Sequence, residues 1–198
     1  DEATVQGFVQ AGHGLDEFVF ARAIVRHAVL ANWQSSRLVR ERRRIAEHLV
    51  ATTRGDRAGE IAALFHLSRS VPGAAAGVPY ALEAADDARA AGSHEQTAAF
   101  LQMALDLSEP DDPRRDEILR GLALAQAESL QIEPAIATAW QAIEVMEASN
   151  PGADEIAGFS AAIAIALKHR AGATSDQWTP FVTLGLQRVQ TERGLGWA

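Results

Sequence analysis

From residue 56 onward, the chain has the pattern of one amphipathic helix after another. Apolar residues such as Ile132, Ile136 and Trp140 recur every three or four positions, which places them on one face of an α-helix. Alternating β-branched runs are almost absent, and only residues 18–20 have the pattern of a short strand. The sequence therefore predicts an all-α protein.

Glycine, proline and polar residues divide this pattern into segments, because they favour turns and helix ends. The predicted helices span about 4–11, 22–33, 36–50, 57–70, 75–91, 94–108, 114–129, 133–148, 154–170 and 175–193. Ser93, with Gln96 three residues later, predicts a capping box at the start of the 94–108 helix.

Alanine supplies 40 of the 198 residues, and this residue both favours helix and lets helices pack closely. Sliding residues 88–105 by 38 positions places Glu95 on Glu133 and other helix residues on similar ones. Two helices of about 15 residues with short turns have the size of a tetratricopeptide-type (TPR) hairpin. We therefore predict antiparallel helical hairpins stacked as a TPR-like right-handed solenoid.

Charge divides the chain near residue 55. Residues 1–55 contain eight arginines and six acidic residues, a balance of +2, whereas residues 56–198 contain ten basic and twenty acidic residues, a balance of −10. This asymmetry predicts two regions, 1–55 and 56–198, with different surfaces. The acidic second region should repel a nucleic-acid backbone, so direct DNA binding there is not expected.

The arginine-rich helix at 36–50 is predicted to bury Leu38, Ile45 and Leu49, with Arg42 at the edge of this stripe. The other arginines are predicted to point away from it, where they are either solvated or contact an anionic partner such as a neighbouring domain or a phosphate: Arg37, Arg40, Arg43 and Arg44.

Several classes of protein are excluded by what the sequence lacks. The chain has no cysteine, so it forms no disulfide and has no thiolate metal site or cysteine nucleophile. No apolar run reaches the length of a membrane span, and residues 1–4 do not resemble a signal peptide. We therefore expect a cytoplasmic protein that does not interact with a membrane.

No constellation of residues predicts catalysis. The six histidines are scattered without H-E-x-x-H spacing, and neither G-x-S-x-G nor a phosphate-binding G-x-x-x-x-G-K-[ST] loop occurs. Asp86 and Asp87 are helix neighbours about 100° apart, so they cannot face one another as an acid–base pair. We predict no enzyme activity, no metal and no cofactor in this segment.

Aromatic residues are candidates for contact with a partner, because stacked helical hairpins form concave binding surfaces. Trp140 lies in the apolar stripe of its helix and is predicted to be in the core. Together with the exposed arginines, the predicted partner-contact residues are Arg40, Arg43, Arg44, Tyr80 and Trp178.

Three stretches, residues 18–30, 40–49 and 80–88, together resemble the region downstream of the ATPase module in large ATP-binding LuxR/MalT-type transcriptional regulators. That family has a strand and helix of the form F-x-H-A-L-V-R-E-A-V-Y, then a helix ending R-R-x-x-H-R-R-I-A-E-A-L, then TPR-like helical pairs. The matched residues to which the resemblance gives a role are Phe20, Arg26, Arg43, Arg44 and Ile45. The departures are Arg22 and Arg42, which replace histidines of the family, and His27, which replaces a glutamate.

The resemblance implies a winged-helix-like, ATPase-adjacent segment over 1–55 and a TPR-like repeat domain over 56–198. It implies a bacterial, non-catalytic sensor and protein-interaction segment for signal transduction in transcription regulation. The repeats would bind a protein or a small effector, and the adjacent ATPase module of the parent chain, absent here, would bind ATP. On this interpretation the sequence is a piece of a larger regulator.

Three alternatives remain open from the sequence. The chain could be a free-standing TPR-like scaffold that assembles partners, or an all-α enzyme with an unfamiliar site. Direct DNA binding through residues 40–44 is the third, and it predicts an affinity that falls steeply with salt.

Overall fold

A computed structural model describes residues 9–11, 18–20, 22–23, 35–52, 57–149 and 152–193. Their regular secondary structure is helical apart from one small hairpin, in which β1 (Val9–Ala11) pairs antiparallel with β2 (Phe18–Phe20). The predicted all-α class and the strand at 18–20 are confirmed. The helix predicted at 4–11 is wrong over residues 9–11, because β2 offers backbone partners that override local helix preference. The remainder of that helix, and residues 24–33 of the next, lie outside the described residues.

Eight α-helices follow in the described part of the chain, and each lies where the sequence predicts a helix, with bounds shifted by a few residues. They are α1 (Ser35–Thr52), α2 (Ala58–Leu67), α3 (Val78–Ala90), α4 (His94–Leu107), α5 (Arg115–Glu128), α6 (Ile132–Ala148), α7 (Ala153–Ala166) and α8 (Ser175–Arg193). A 3-10 turn (Ala74–Gly77) precedes α3, and a π-helical turn (Leu167–Ala171) extends α7.

The pairs α3–α4, α5–α6 and α7–α8 are joined by three-residue turns of the same design. Each turn has one residue with positive φ, namely Gly92 at 72°, Leu130 at 65° and Gly172 at 68°. The residue after it donates its backbone N–H to a carbonyl of the preceding helical turn, five residues earlier in the first two turns, as in a Schellman motif, and six residues earlier after the π-helical turn. These bonds are Ser93 to Ala88 at 2.9 Å, Gln131 to Gln126 at 2.8 Å and Ala173 to Leu167 at 2.9 Å.

The core is divided into three clusters along the chain, and alanines make up more than half of its buried hydrophobic residues. The largest cluster joins α5 to α8, and the second joins α1 and α2 to α3, α4 and the start of α5. The third lies between α3, α4 and α5. Each helix packs against its neighbours in sequence, which close approach through alanine permits.

Three local predictions are wrong. Trp140 of α6, predicted to be in the core, is 41% exposed. Helix α1 buries Arg43, Ala46 and Leu49, whereas Ile45 is 49% exposed, because α1 presents the face centred on Ala46 to α2. At the start of α4, Ser93 makes no side-chain capping bond. Its carbonyl oxygen instead accepts the Thr97 hydroxyl at 3.0 Å.

Candidate functional site

The exposed predicted arginines lie on the solvent face of α1. Arg40 is exposed, and Arg44 is 75% exposed in its side chain with an ion pair to Glu41 at 3.2 Å. Such exposed pairs contribute little to stability. These two arginines are therefore accessible to a partner, as the sequence predicts.

Arg43 is buried instead, with only 5% of its surface exposed. Its guanidinium donates hydrogen bonds to acceptors within the chain. Nε donates to the Ser68 hydroxyl at 3.2 Å, and Nη2 donates to the carbonyls of Ser68 and Val71, both at 3.2 Å. Nη1 donates to the Pro72 carbonyl at 2.7 Å, and the guanidinium lies 4.8 Å from the Phe65 ring centroid. Because these acceptors occupy the guanidinium, Arg43 positions α1 against the end of α2 rather than facing a partner.

The aromatic candidates lie in different parts of the fold. Tyr80 is half-buried against the cluster that contains α1 and α2. Trp178 is half-buried against the cluster of α5 to α8, with Lys168 Nζ 5.0 Å from its ring centroid. Hence the structure does not gather the five predicted contact residues into one site.

A groove between α3 and α5, floored by α4, does bring charged and apolar groups together. We call it the α3–α5 groove, and its volume is about 320 Å³. Its lining residues are Leu82, Asp86 and Arg89 from α3, Leu101 from α4, and Glu117, Ile118, Arg120 and Gly121 from α5.

The floor of the groove depends on Gly121. A Cβ atom there would lie 3.3 Å from Leu101 Cδ1 and 3.8 Å from Arg89 Nη2. The missing side chain therefore lets α4 approach α5, and the guanidinium of Arg89 extends from α3 toward the backbone of α5. The cost of glycine inside a helix is roughly 0.5–1 kcal/mol, which this close approach offsets.

The walls of the groove carry two arginines, each held by a carboxylate one turn earlier on its own helix. Arg89 Nη1 donates to Asp86 at 2.5 Å, and Arg120 Nη2 donates to Asp116 at 3.0 Å. The Arg120 Nε atom is buried and has no hydrogen-bond partner among the described residues. The groove therefore meets the guanidinium of Arg120 through its outer nitrogens rather than through Nε.

Two of the four histidines in the described part, His66 and His94, join neighbouring helices. His66 Nε2 lies 2.8 Å from Asp106, which joins α2 to α4, and His94 Nδ1 lies 2.9 Å from Glu128, which joins α4 to α5. Among the described residues, no group of three or more histidine and acidic side chains could hold a metal ion. No described helix has the length and hydrophobicity needed to span a bilayer.

Sequence reasoning missed the α3–α5 groove. Two signals were available, namely a glycine inside a helical pattern at Gly121 and acid–arginine pairs spaced three or four residues apart on two helices. Neither signal shows that α3 and α5 lie on either side of one groove, since that depends on how α4 packs between them.

Comparison with known proteins yields no match: no family model fits the chain. No curated protein and no solved structure matches it either. The resemblance to LuxR/MalT-type regulators therefore stays a prediction based on the motifs at 18–30 and 40–49.

Proposed function

We propose that this chain is a non-catalytic protein-interaction module whose α3–α5 groove holds an extended segment of a partner protein. The observation that carries this proposal is that two arginines and two carboxylates line one groove above an apolar floor. A peptide carbonyl would accept a hydrogen bond from either guanidinium.

The chemistry of the lining favours a peptide over a simple anion. Two arginines supply donors for backbone carbonyls, while Asp86 and Glu117 supply acceptors for backbone N–H groups. The four charges sum to zero, so the groove has no net attraction for a phosphate or nucleic-acid backbone. The half-buried Leu82 adds an apolar surface for a hydrophobic side chain of the peptide.

The three hairpins support a TPR-like solenoid as the architecture of this module. The residues with positive φ in their turns, Gly92, Leu130 and Gly172, are separated by 38 and 42 residues, which matches a helical-hairpin repeat. Stacked hairpins of this kind have grooves between the first helices of neighbouring hairpins. Helices α3 and α5 are the first helices of two neighbouring hairpins.

The parent protein that fits this module is a LuxR/MalT-type ATP-dependent transcriptional regulator, with a winged-helix-like piece in residues 1–55. Binding of a partner or effector to the repeats would shift the equilibrium between helix packings and so restrain or release the other modules. The exposed Arg40 and Arg44 on α1 would contact the ATPase module of the parent chain. Sequencing of the surrounding reading frame tests this part of the proposal, and the expected result is a phosphate-binding loop encoded upstream of these residues.

Peptide selection tests the groove directly. A library of random peptides of about twelve residues is displayed on phage and selected against the whole chain, and the affinity of the best binder is measured by calorimetry. Arg120→Ala is expected to weaken that binder about tenfold or more, because the peptide acceptor loses its donor. Arg188→Ala is the matched control, since Arg188 pairs with Glu147 on α6, outside the groove.

The proposal predicts that the control stays within about twofold of the wild-type affinity. If selected peptides bind the Arg120→Ala chain as tightly as the wild type, the groove is not the binding site. If selection yields no peptide that binds more tightly than about 100 μM, the chain is not a peptide-binding module of this kind.

A further inference from the structure

The outer surface of α8 is uncharged along most of the described helix. The exposed described residues after its first turn contribute hydroxyl, amide and apolar groups, and the partly exposed guanidinium of Arg188 is paired with Glu147. These exposed residues are Thr179, Pro180, Val182, Thr183, Leu186 and Gln187. Leu186 is the most exposed large hydrophobic residue of this set, at 58%.

The helices next to α8 are acidic by contrast, while the π-helical turn after α7 exposes the basic residues Lys168, His169 and Arg170. Helices α6 and α7 expose five carboxylates, those of Glu133, Glu144, Glu147, Asp154 and Glu155. Residues 56–198 carry a balance of −10, so two copies of the chain repel one another over most of this region. The outer surface of α8 is where two copies can meet without placing like charges together.

A groove runs along this surface, between α6 and α8, and we call it the α8 groove. Trp140 of α6 is 41% exposed and stacks on the buried Phe181 with ring centroids 4.7 Å apart. The groove has a volume of about 490 Å³. Its lining residues are Trp140, Asp176, Thr179, Pro180, Thr183, Leu184 and Gln187.

The register along α8 makes this surface complementary to itself. A two-fold axis through Thr183 pairs antiparallel helices so that residue 186 of one copy lies opposite residue 180 of the other. The protruding Leu186 of each copy then enters the α8 groove of its partner beside Pro180 and near Trp140. Such reciprocal contact is what an isologous dimer interface requires.

We propose that the chain forms a two-fold homodimer through α8, with Leu186 of each copy seated in the α8 groove of the other. This proposal stands apart from the α3–α5 groove, which lies on other helices. The interface combines apolar, hydroxyl and amide groups and has one carboxylate, Asp176, at the edge of each groove, whereas the two copies carry the same net charge. Salt screens that repulsion, so added salt strengthens the dimer.

Sedimentation equilibrium of the whole chain tests the proposal. The wild type is expected to dimerise, with a dissociation constant that falls as NaCl rises from about 20 to about 500 mM. Leu186→Glu is expected to raise that constant about 100-fold or more, since symmetry places the carboxylate twice in an apolar contact. Ile165→Glu on α7, at a similarly exposed leucine-sized residue, is the matched control and leaves the dimer intact.

A single introduced cysteine reports the register, because the chain has no cysteine of its own. Thr183 lies on the proposed axis, so Thr183→Cys is expected to form a disulfide between copies under mild oxidation, seen as a dimer on a non-reducing gel. Ala161→Cys, exposed on α7, is expected to remain monomeric in the same assay.

A wild-type chain that stays monomeric at about 100 μM in high salt overturns the proposal. So does a dimer that survives Leu186→Glu, or one that dissociates as salt is added, because either result places the interface on another, charged surface. Circular dichroism of each variant confirms that its helices are intact, and Thr183→Cys gives a second result that does not depend on Leu186.

Discussion

Arg43 of α1 donates a hydrogen bond from Nη1 to the carbonyl oxygen of Pro72, 2.7 Å away, in the loop that follows α2. With the bonds to Ser68 and Val71, it fixes α1 against the end of α2 through uncharged acceptors. Ser68 caps the C-terminus of α2, where the helix dipole favours a cation. The contact between α1 and the end of α2 is therefore built from hydrogen-bond acceptors that surround the Arg43 guanidinium, which we call the polar cage.

Replacing this arginine should destabilise the chain substantially. Arg43→Ala leaves the acceptors from Ser68, Val71 and Pro72 without their donor and removes the stacking on Phe65, so we expect a loss of about 3 kcal/mol. Arg43→Lys keeps the charge but not the planar fork, and should lose about 2 kcal/mol. Urea unfolding followed by circular dichroism measures both values.

Arg44→Ala is the matched control for Arg43, since its side chain is 75% exposed, and we expect a change below about 0.5 kcal/mol. Hydrogen exchange should show faster exchange across α1 in Arg43→Ala than in the control. Equal stability of the two variants would contradict a structural role for Arg43.

Leu130 is the one described non-glycine residue with positive φ, and we expect Leu130→Gly to stabilise the chain by about 0.5–1 kcal/mol. The side chain is 65% exposed, so its removal costs little buried surface. Thermal unfolding measures the gain. The reciprocal variant Gly92→Leu, at the equivalent position of the preceding hairpin, should lose about 1 kcal/mol. Changes of the same sign in both variants would contradict this explanation.

The helices could be predicted because their boundaries are encoded locally. Gly92 and Gly172 end helices at the positions the sequence indicates, since glycine adopts the positive φ of the turn without strain. Leu130 adopts the same conformation without any such local signal. Residues 9–11 show the opposite case, since their pairing with 18–20 is non-local and overrides helix preference.

The candidate site could not be predicted from periodicity. Arg43 is buried and Ile45 is exposed, the reverse of what the sequence predicts. The reason is that the loop after α2 supplies carbonyl acceptors for a buried guanidinium. A hydrophobicity pattern assigns arginine to solvent and isoleucine to the core regardless of the polar cage. The α3–α5 groove likewise depends on tertiary packing around Gly121.

Asp112 gives the chain a pH-dependent contribution to stability. The Arg114 side-chain hydrogen bond lowers the pKa of Asp112 below its usual value, with Nη2 at 2.8 Å from the carboxylate. A lowered folded-state pKa means that this contribution is present above the unfolded pKa, near 4, and is lost as pH falls through the folded pKa.

We therefore expect Asp112→Asn to be less stable than the wild type by about 1 kcal/mol at neutral pH, a modest value because Arg114 is partly exposed. The difference should persist down to about pH 5 and shrink below about pH 4. Urea unfolding over this pH series measures it, with the exposed Asp111→Asn as control. A difference that grew with acid would contradict the pairing.

Gly77 and Gly158 should respond in opposite ways to the same substitution. A Cβ at Gly77 would lie 2.5 Å from Phe65 Cβ and 3.0 Å from Leu107 Cδ1, so Gly77→Ala should lose about 2–3 kcal/mol. Gly158 lies within α7 with nothing near its Cβ position, so Gly158→Ala should gain about 0.5–1 kcal/mol from helix propensity. Chemical unfolding of both variants is the measurement, and a tolerated alanine at residue 77 would refute this close approach of Phe65.

Pro180 is inside α8, where it has no N–H to donate to the carbonyl of Asp176 one turn earlier. Pro180→Ala restores that donor and should stabilise the chain by about 2 kcal/mol, less than the full helix-propensity difference because alanine also gives the unfolded chain more freedom. Pro134→Ala is the matched control, since Pro134 lies in the first turn of α6, where a backbone N–H has no helical acceptor. Its effect should stay within about 0.5 kcal/mol in the same urea experiment. Equal effects at the two positions would show that the hydrogen bond missing between residues 180 and 176 does not weaken α8.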